Sequence, residues 1–183
     1  VRVTSGPALE KQGDVASIIT NLKENDILFI DEIHRLKPAI EEILYSAMED
    51  YAIDLVIGKG PAAKTMRLKL PRFTLIGATT KMSMLSSPLR DRFGAVYKLQ
   101  FYSEDHITEI LLRSSILLKV KITNKAAQAL AKSARQTPRI ANRLLKRVRD
   151  FSMVKGNLEV SENLVKDCLA TLGIDNLGLD EGD

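Results

Sequence analysis

The sequence predicts an α/β fold, a parallel sheet with helices on its faces, followed by a small unit built only of helices. Three observations carry this prediction. Strand-like and helix-like segments alternate through the first half of the chain, as they do in parallel βα units. Residues 27–30, Ile-Leu-Phe-Ile, form a short continuous apolar run that ends on Asp31 and Glu32, which is how a strand buried on both faces of a parallel sheet reads. After Tyr102 every periodic segment has helical spacing.

The elements follow in order. Gly13-Asp14 caps a helix through Ile18, Ile19 and Leu22, and the apolar strand 27–30 comes next. Pro38 opens a second helix with Ile40, Ile43, Leu44 and Ala47 on one face and Glu41 and Glu42 elsewhere. Segments 53–57 and 66–70 are strand-like and flank Gly58-Lys59-Gly60-Pro61, so they predict a projecting β-hairpin. A second buried strand at 73–78 ends in Thr79-Thr80; a Pro88-led turn and a third strand at 95–99 follow. Helices are predicted at 104–118, 124–134, 138–154 and 162–172. The third has Ile140, Leu144, Val148 and Phe151 on its inner face, and Gly173 ends the last.

Composition fits an intracellular globular protein. The chain has 183 residues, 45% hydrophobic and 27% charged, enough for one core and a small second domain. A net charge of +4 permits an anionic partner without demanding one. The lone Cys168 has no disulfide partner and no metal-ligand spacing, and reads as a buried helix residue in a reducing compartment. No apolar stretch approaches a membrane span and no signal peptide is visible. The chain begins on Val1 within a folded pattern, so it is expected to be a piece of a longer protein.

Chemistry concentrates where the strands end. Ligands of open α/β sheets bind outside the carboxyl ends of the strands. An Asp there holds Mg²⁺ through water and a neighbouring Glu polarises an attacking water; Asp31 and Glu32 fit this, or they are surface acids at a strand end. Thr79 and Thr80 should emerge beside them, to bond a γ-phosphate or to satisfy their own strand end. In Leu89-Arg90-Asp91-Arg92-Phe93 an arginine on a rigid turn suits phosphoryl oxygens; the alternative is a pair of surface arginines. Thr137-Pro138-Arg139 starts a helix with Thr137 as N-cap, beside a basic face of Arg139, Arg143, Lys146, Arg147 and Arg149. Residues 58–65 nearly match a phosphate loop, but with Ala63 in place of its second Gly and between two strands rather than before a helix. That match is rejected, and no other phosphate-cradling loop is present. His34 and His106 lack ligand spacing and read as polar helix or loop residues.

Apolar strand with Asp-Glu, strand with Thr-Thr, Pro-Leu-Arg-x-Arg-Phe, then Pro-Arg at a helix start: this order resembles the AAA+ ATPases, whose Walker B, sensor 1, arginine finger and sensor 2 follow one another so. Within them the words VTSGPALEKQGD (3–14), LFIDEIHRL (28–36), AMEDY (47–51), IGKGPAAK (57–64), FTLIGATT (73–80), SPLRDRFG (87–94) and TPRIANRLLKRVRD (137–150) resemble the RuvB family, over about residues 3–181. The resemblance implies an AAA+ P-loop NTPase sheet, partial here, in a large subdomain at 1–102 with a β-hairpin at about 53–70. A small helical subdomain at 103–173 and a linker at 174–183 would follow. It implies Asp31 and Glu32 as Walker B, with Asp31 on Mg²⁺, Thr80 as sensor 1, Arg92 as the finger and Arg139 as sensor 2. Tyr102, Pro138 and Arg139 would line ATP, and Glu49, Asp50 and Tyr51 would lie near the subunit interface and edge the nucleotide. Ile53, Leu55 and Val56 of the hairpin would dock RuvA.

The implied activity is an ATP-driven motor, a homo-hexameric ring moving Holliday-junction DNA with RuvA and RuvC in the bacterial cytoplasm. The family's Walker A loop would precede Val1 and its winged-helix domain would follow the linker, so the chain alone is expected to be inactive. A nucleotide-free adaptor and a clamp-loader-like ATPase are the alternatives.

Overall fold

The computed structural model describes residues 1–57 and 64–175, with the backbone only at 56, 57 and 64. The turn at 58–61, most of the rejected phosphate-loop match and the end of the tail lie outside the described residues. The chain divides into two compact units, Val1–Tyr97 and Lys98–Asp183.

The first unit runs β1 (Arg2–Ser5), α1 (Gln12–Thr20), β2 (Asp26–Asp31), α2 (Pro38–Glu49), β3 (Ala52–Ile57), β4 (Lys64–Lys69), β5 (Phe73–Gly77) and the short α3 (Ser87–Arg90). Strands β1, β2 and β5 form a parallel sheet in the order β1-β2-β5. The acidic strand β2 is therefore central. Its Leu28 and Ile30 are buried in one core with Ile19 of α1, Ile40 and Leu44 of α2, and Leu89 of α3. The opposite row, Val3–Phe29–Ile76 across the three strands, leaves Val3 and Ile76 exposed. Neither β2 nor β5 is thus buried on both faces as expected, because the packed helices among the described residues lie on the Leu28–Ile30 side.

Other expectations need correcting. Asp14 is not the cap of α1 but sits within its first turn, where its Oδ2 accepts the backbone N–H of Glu10 and Lys11. Glu41, placed off the apolar face of α2 by its spacing, is nonetheless buried, because it turns toward Tyr45 and Ser86. Residues 95–99 form no strand. No described strand lies beside them, and an extended run without a ladder leaves its backbone groups to water.

Strands β3 and β4 make a separate antiparallel ribbon, registered from Ala52 opposite Lys69 to Ile57 opposite Lys64. Strand alternation puts Ile53 and Leu55 on one face. Ile53 is 1% exposed and Leu55 is partly buried against the unit's core. They are core residues, not the open docking surface expected of them; the side chain of Val56 lies outside the described residues. Met66 of β4 is the exposed apolar side chain the ribbon presents among those described.

The second unit contains α4 (Glu104–Leu117), α5 (Asn124–Lys132), α6 (Pro138–Val154) and α7 (Glu162–Thr171). Ser103, Thr123 and Ser161 each accept a backbone N–H from three residues on, capping α4, α5 and α7. Ile107, Leu111, Leu130, Leu145, Val148 and Val165 interlock as its core. Cys168 is buried there on α7, and burial lifts its thiol above the usual range. Gly173 follows α7 with φ +67°, a left-handed conformation that glycine adopts at little cost.

Candidate nucleotide site

The site begins at the end of β2. Asp31 is exposed, and its Oδ1 accepts the backbone N–H of Glu32 at 3.0 Å. Glu32 has φ +50°, the left-handed region, which costs a non-glycine residue energy and recurs at functional sites. Neighbouring backbone holds it there. A Cβ on Gly6 would come within 2.4 Å of the Glu32 carbonyl oxygen, so only glycine lets the segment after β1 pass this close. The Ile33 N–H bonds the Ala78 carbonyl at 2.9 Å, and the Ala78 N–H bonds the Ile30 carbonyl at 2.9 Å. The exits of β2 and β5 are thereby laced together. A Cβ on Gly77 would reach 2.8 Å from Ile33, so this contact too needs a bare backbone.

This lacing brings the predicted acids and threonines to the same end of the sheet. Thr80 is exposed, whereas Thr79 is partly buried with its Oγ1 2.8 Å from His34 Nδ1. His34 Nε2 in turn lies 3.3 Å from Glu32 Oε2. His34 lies in a short helical turn, Ile33–Arg35, as a polar helix residue, but it is 8% exposed and bonded on both ring nitrogens. Only its position two residues after Glu32 could have pointed to it.

Arg92 follows α3 and does not reach outward. Its Nε is 3.0 Å from Glu49 Oε1, its Nη1 donates to the Pro88 carbonyl at 2.7 Å, and its guanidinium lies 4.4 Å from the centre of the Tyr45 ring. Tyr45 donates to Glu41 at 2.8 Å, and Ser86 also donates to Glu41. Glu41, Tyr45 and Glu49 recur every four residues, one face of α2. Sequence reading missed Glu41 and Tyr45 because acids and hydroxyls at helical spacing look like a solvated stripe, and Ser86 because it caps α3, far from α2 in sequence. Arg90 stays on its own turn, bonded to Ser87.

Of the other predicted residues in this unit, Asp50 pairs with Arg67 at 2.6 Å, and Tyr51 packs edge-on against Phe73 with Arg72 over its ring. In the second unit, the Tyr102 N–H bonds the Gln136 carbonyl at 3.4 Å, just ahead of Pro138 at the start of α6. Arg135 and Gln136 are both left-handed, with φ +50° and +54°. Thr137 occupies the N-cap position, yet its hydroxyl donates to the Arg135 carbonyl instead of capping. Arg139 is exposed on the first turn of α6.

No group of three or more His, Cys, Asp or Glu able to hold a metal ion exists among the described residues. Asp31 offers one exposed carboxylate. That fits Mg²⁺, which is held by one or two carboxylates together with substrate phosphates, better than an all-protein cage.

A parallel sheet with paired acids at the end of its central strand and threonines at the end of the next, followed by a helical unit, is the architecture of an AAA+ P-loop domain with its helical lid. Residues 1–99 match the family described as Holliday junction DNA helicase RuvB P-loop domain, and residues 102–175 match the RuvB AAA lid domain. The chain belongs to the RuvB family. It is 57% identical over 183 residues, its whole length, to Holliday junction branch migration complex subunit RuvB of Chloroflexus aurantiacus, covering 52% of that relative. The corresponding subunit of Dehalococcoides mccartyi is also 57% identical over the whole chain. A solved variant of Thermotoga maritima RuvB superimposes with a TM-score of 0.89 at 47% identity, over 99% of this chain and 56% of that one. The Thermotoga maritima RuvB Holliday junction branch migration motor gives 0.85 at 46% identity. The chain thus spans about half the length of the relatives it matches. No helix among the described residues is long and apolar enough to cross a membrane.

Proposed function

We propose that this chain is the hydrolytic core of an ATP-driven motor subunit that moves Holliday-junction DNA during recombination and repair, within a hexameric ring of the bacterial cytoplasm. The observation that carries the reading is the placement of Asp31 and Glu32 at the carboxyl end of the central strand, laced by backbone bonds to the Thr79–Thr80 exit of β5. Family membership supports ATP as the nucleotide and RuvA and RuvC as protein partners.

Each residue then has a task. Asp31 would hold Mg²⁺, which would supply charge neutralisation on the phosphates. Glu32 accepts a hydrogen bond from the attacking water and orients it. The Thr80 hydroxyl, exposed at the same end of the sheet, donates to the terminal phosphate. Arg92 serves a neighbouring subunit's nucleotide once its guanidinium leaves Glu49. Tyr102, Pro138 and Arg139 form the sensor 2 side, and Glu49, Asp50 and Tyr51 the subunit edge. The hairpin remains the candidate RuvA element, with Met66 in place of the buried Ile53 and Leu55.

The test uses a full-length protein in which this chain replaces the matched segment of the Chloroflexus aurantiacus relative. Glu32→Gln should bind ATP within about threefold of the parent and lose turnover by about 10²-fold or more, the loss expected of a positioned acid–base group. Near-parental turnover rejects the assignment.

A further inference from the structure

We propose that His34 is a positioning residue for Glu32, coupling its carboxylate to the Thr79–Thr80 loop. The proposal rests on Glu32 as the water-orienting carboxylate. Three contacts in series carry it. The Lys81 N–H donates to Thr79 Oγ1 at 3.0 Å, Thr79 Oγ1 lies 2.8 Å from His34 Nδ1, and His34 Nε2 lies 3.3 Å from Glu32 Oε2.

Proton counting fixes the direction of this series. A hydroxyl has one proton to give and an ionised carboxylate only accepts. With the imidazole proton on Nδ1, a bare Nε2 lone pair on this buried ring would face the Glu32 oxygen, two acceptors in contact with no proton between them. The proton therefore sits on Nε2, facing Glu32. In the neutral ring Nδ1 accepts the Thr79 proton, while the Lys81 N–H occupies a lone pair of the same hydroxyl. Every member is satisfied, and the tautomer is set by the partner on the far side of the ring.

The consequence is mechanical. The backbone at Glu32 is held by Gly6 and by the bonds of the flanking Ile30 and Ile33 to Ala78, while its half-buried side chain is engaged, among the described residues, by His34 alone. His34, 8% exposed, cannot swing freely. Contact at Thr80 that shifts the 79–81 loop pulls on Thr79, turns the ring and re-aims the carboxylate. Glu32 would then be set for hydrolysis only when the loop has registered the terminal phosphate. A histidine that merely fills the core would hold the fold without affecting this aim.

Two experiments separate the roles. The chain has only two histidines, His34 and His106, so ¹⁵N imidazole spectra of the chain itself resolve both. His34 should carry its proton on Nε2, and Thr79→Val should shift its Nδ1 resonance. A neutral ring with its proton on Nδ1, or an average of both tautomers, overturns the proposal. In the full-length graft, His34→Ala should lower kcat by about 10–100-fold, the usual loss when the partner orienting a functional group is removed, while affinity for a fluorescent ATP analogue stays within about threefold. His34→Gln, which can donate to Glu32 and accept from Thr79, should recover much of that loss. In the Glu32→Gln background, His34→Ala should cost nothing further, because both act on one step. Should His34→Ala leave kcat within about twofold while Glu32→Gln abolishes turnover, the positioning role fails and the reading of Glu32 survives. Equal losses in the Ala and Gln variants, matched by equal drops in Tm, assign His34 to the core and overturn the proposal. Turnover retained by Glu32→Gln defeats the reading of the site itself.

Discussion

The two units are held together by different physics. In the second, helices close in sequence pack their apolar stripes, and hydroxyl caps at Ser103, Thr123 and Ser161 start three of the four. Each of these is a local signal. In the first, the decisive contacts join residues far apart in sequence: Gly6 against Glu32, Ile33 to Ala78, Ser86 to Glu41. The helical unit owes its stability to periodicity; the sheet-bearing unit owes its site to backbones that approach closely enough to fix side chains.

The sharpest way to break this contrast is a cavity in the helical core. Leu130→Ala, at a fully buried position of α5, should cost about 3 kcal/mol. Hydrogen exchange should lose protection in α4–α7 while the amides of Leu28 and Ile30 keep theirs; equal loss in both units would mean the cores are not separate. Next come two glycines read as a pair. Gly6→Ala drives a Cβ into the Glu32 carbonyl and should cost about 2–3 kcal/mol. Gly13→Ala, in α1 with nothing within 4 Å of the added carbon, should stabilise by about 0.5–1 kcal/mol. Urea unfolding measures both, and similar costs would remove the claim that close approach governs the first unit. Smaller still, Ser161→Ala should cost about 1 kcal/mol through the lost cap of α7, seen as a lowered Tm.

The least effect concerns Tyr45. Burial lifts its phenol above the usual range; the Ser86 hydroxyl, 3.1 Å from the phenol oxygen, opposes this, Glu41 adds to it by hydrogen bond and charge, and Arg92 opposes it by charge. A pKa raised by folding means the folded state keeps its proton longer than the unfolded chain. The associated stability is complete below the phenol's unfolded pKa and is lost as pH rises through the folded one. Between about pH 9 and about pH 11, the range in which phenols ionise, the urea midpoint of the parent should fall further than that of Tyr45→Phe. Equal falls would show that Tyr45 does not sense its enclosure.

What was legible in the sequence divides along the same line. Helices at 104–118, 124–134, 138–154 and 162–172 reappear within a residue or two at each end, because periodicity and caps are local. Segment 95–99 had strand composition but forms none, since a strand exists only with a neighbour to pair with. The end of β2 was legible from its abrupt change of polarity. His34 and Glu41 were not, because burial of a polar residue depends on partners 45 residues away in each case. Ile53 and Leu55 were misplaced for the converse reason: alternation tells which residues share a face, not which face meets the core.

Arg92 carries a consequence best put in populations. Its stacking on Tyr45, its pairing with a half-exposed Glu49 and its bond to the Pro88 carbonyl are each worth about 0.5–1 kcal/mol at a partly exposed site. Together, at about 1.5–3 kcal/mol, they leave an outward-reaching rotamer populated at about 1–7%. An acceptor outside the unit meets an available guanidinium only that fraction of the time, so its apparent affinity is weaker by the same factor. Any event that draws Glu49 or Tyr45 away returns part of this factor without adding one contact to the acceptor, and the end of α2 is where such an event would act.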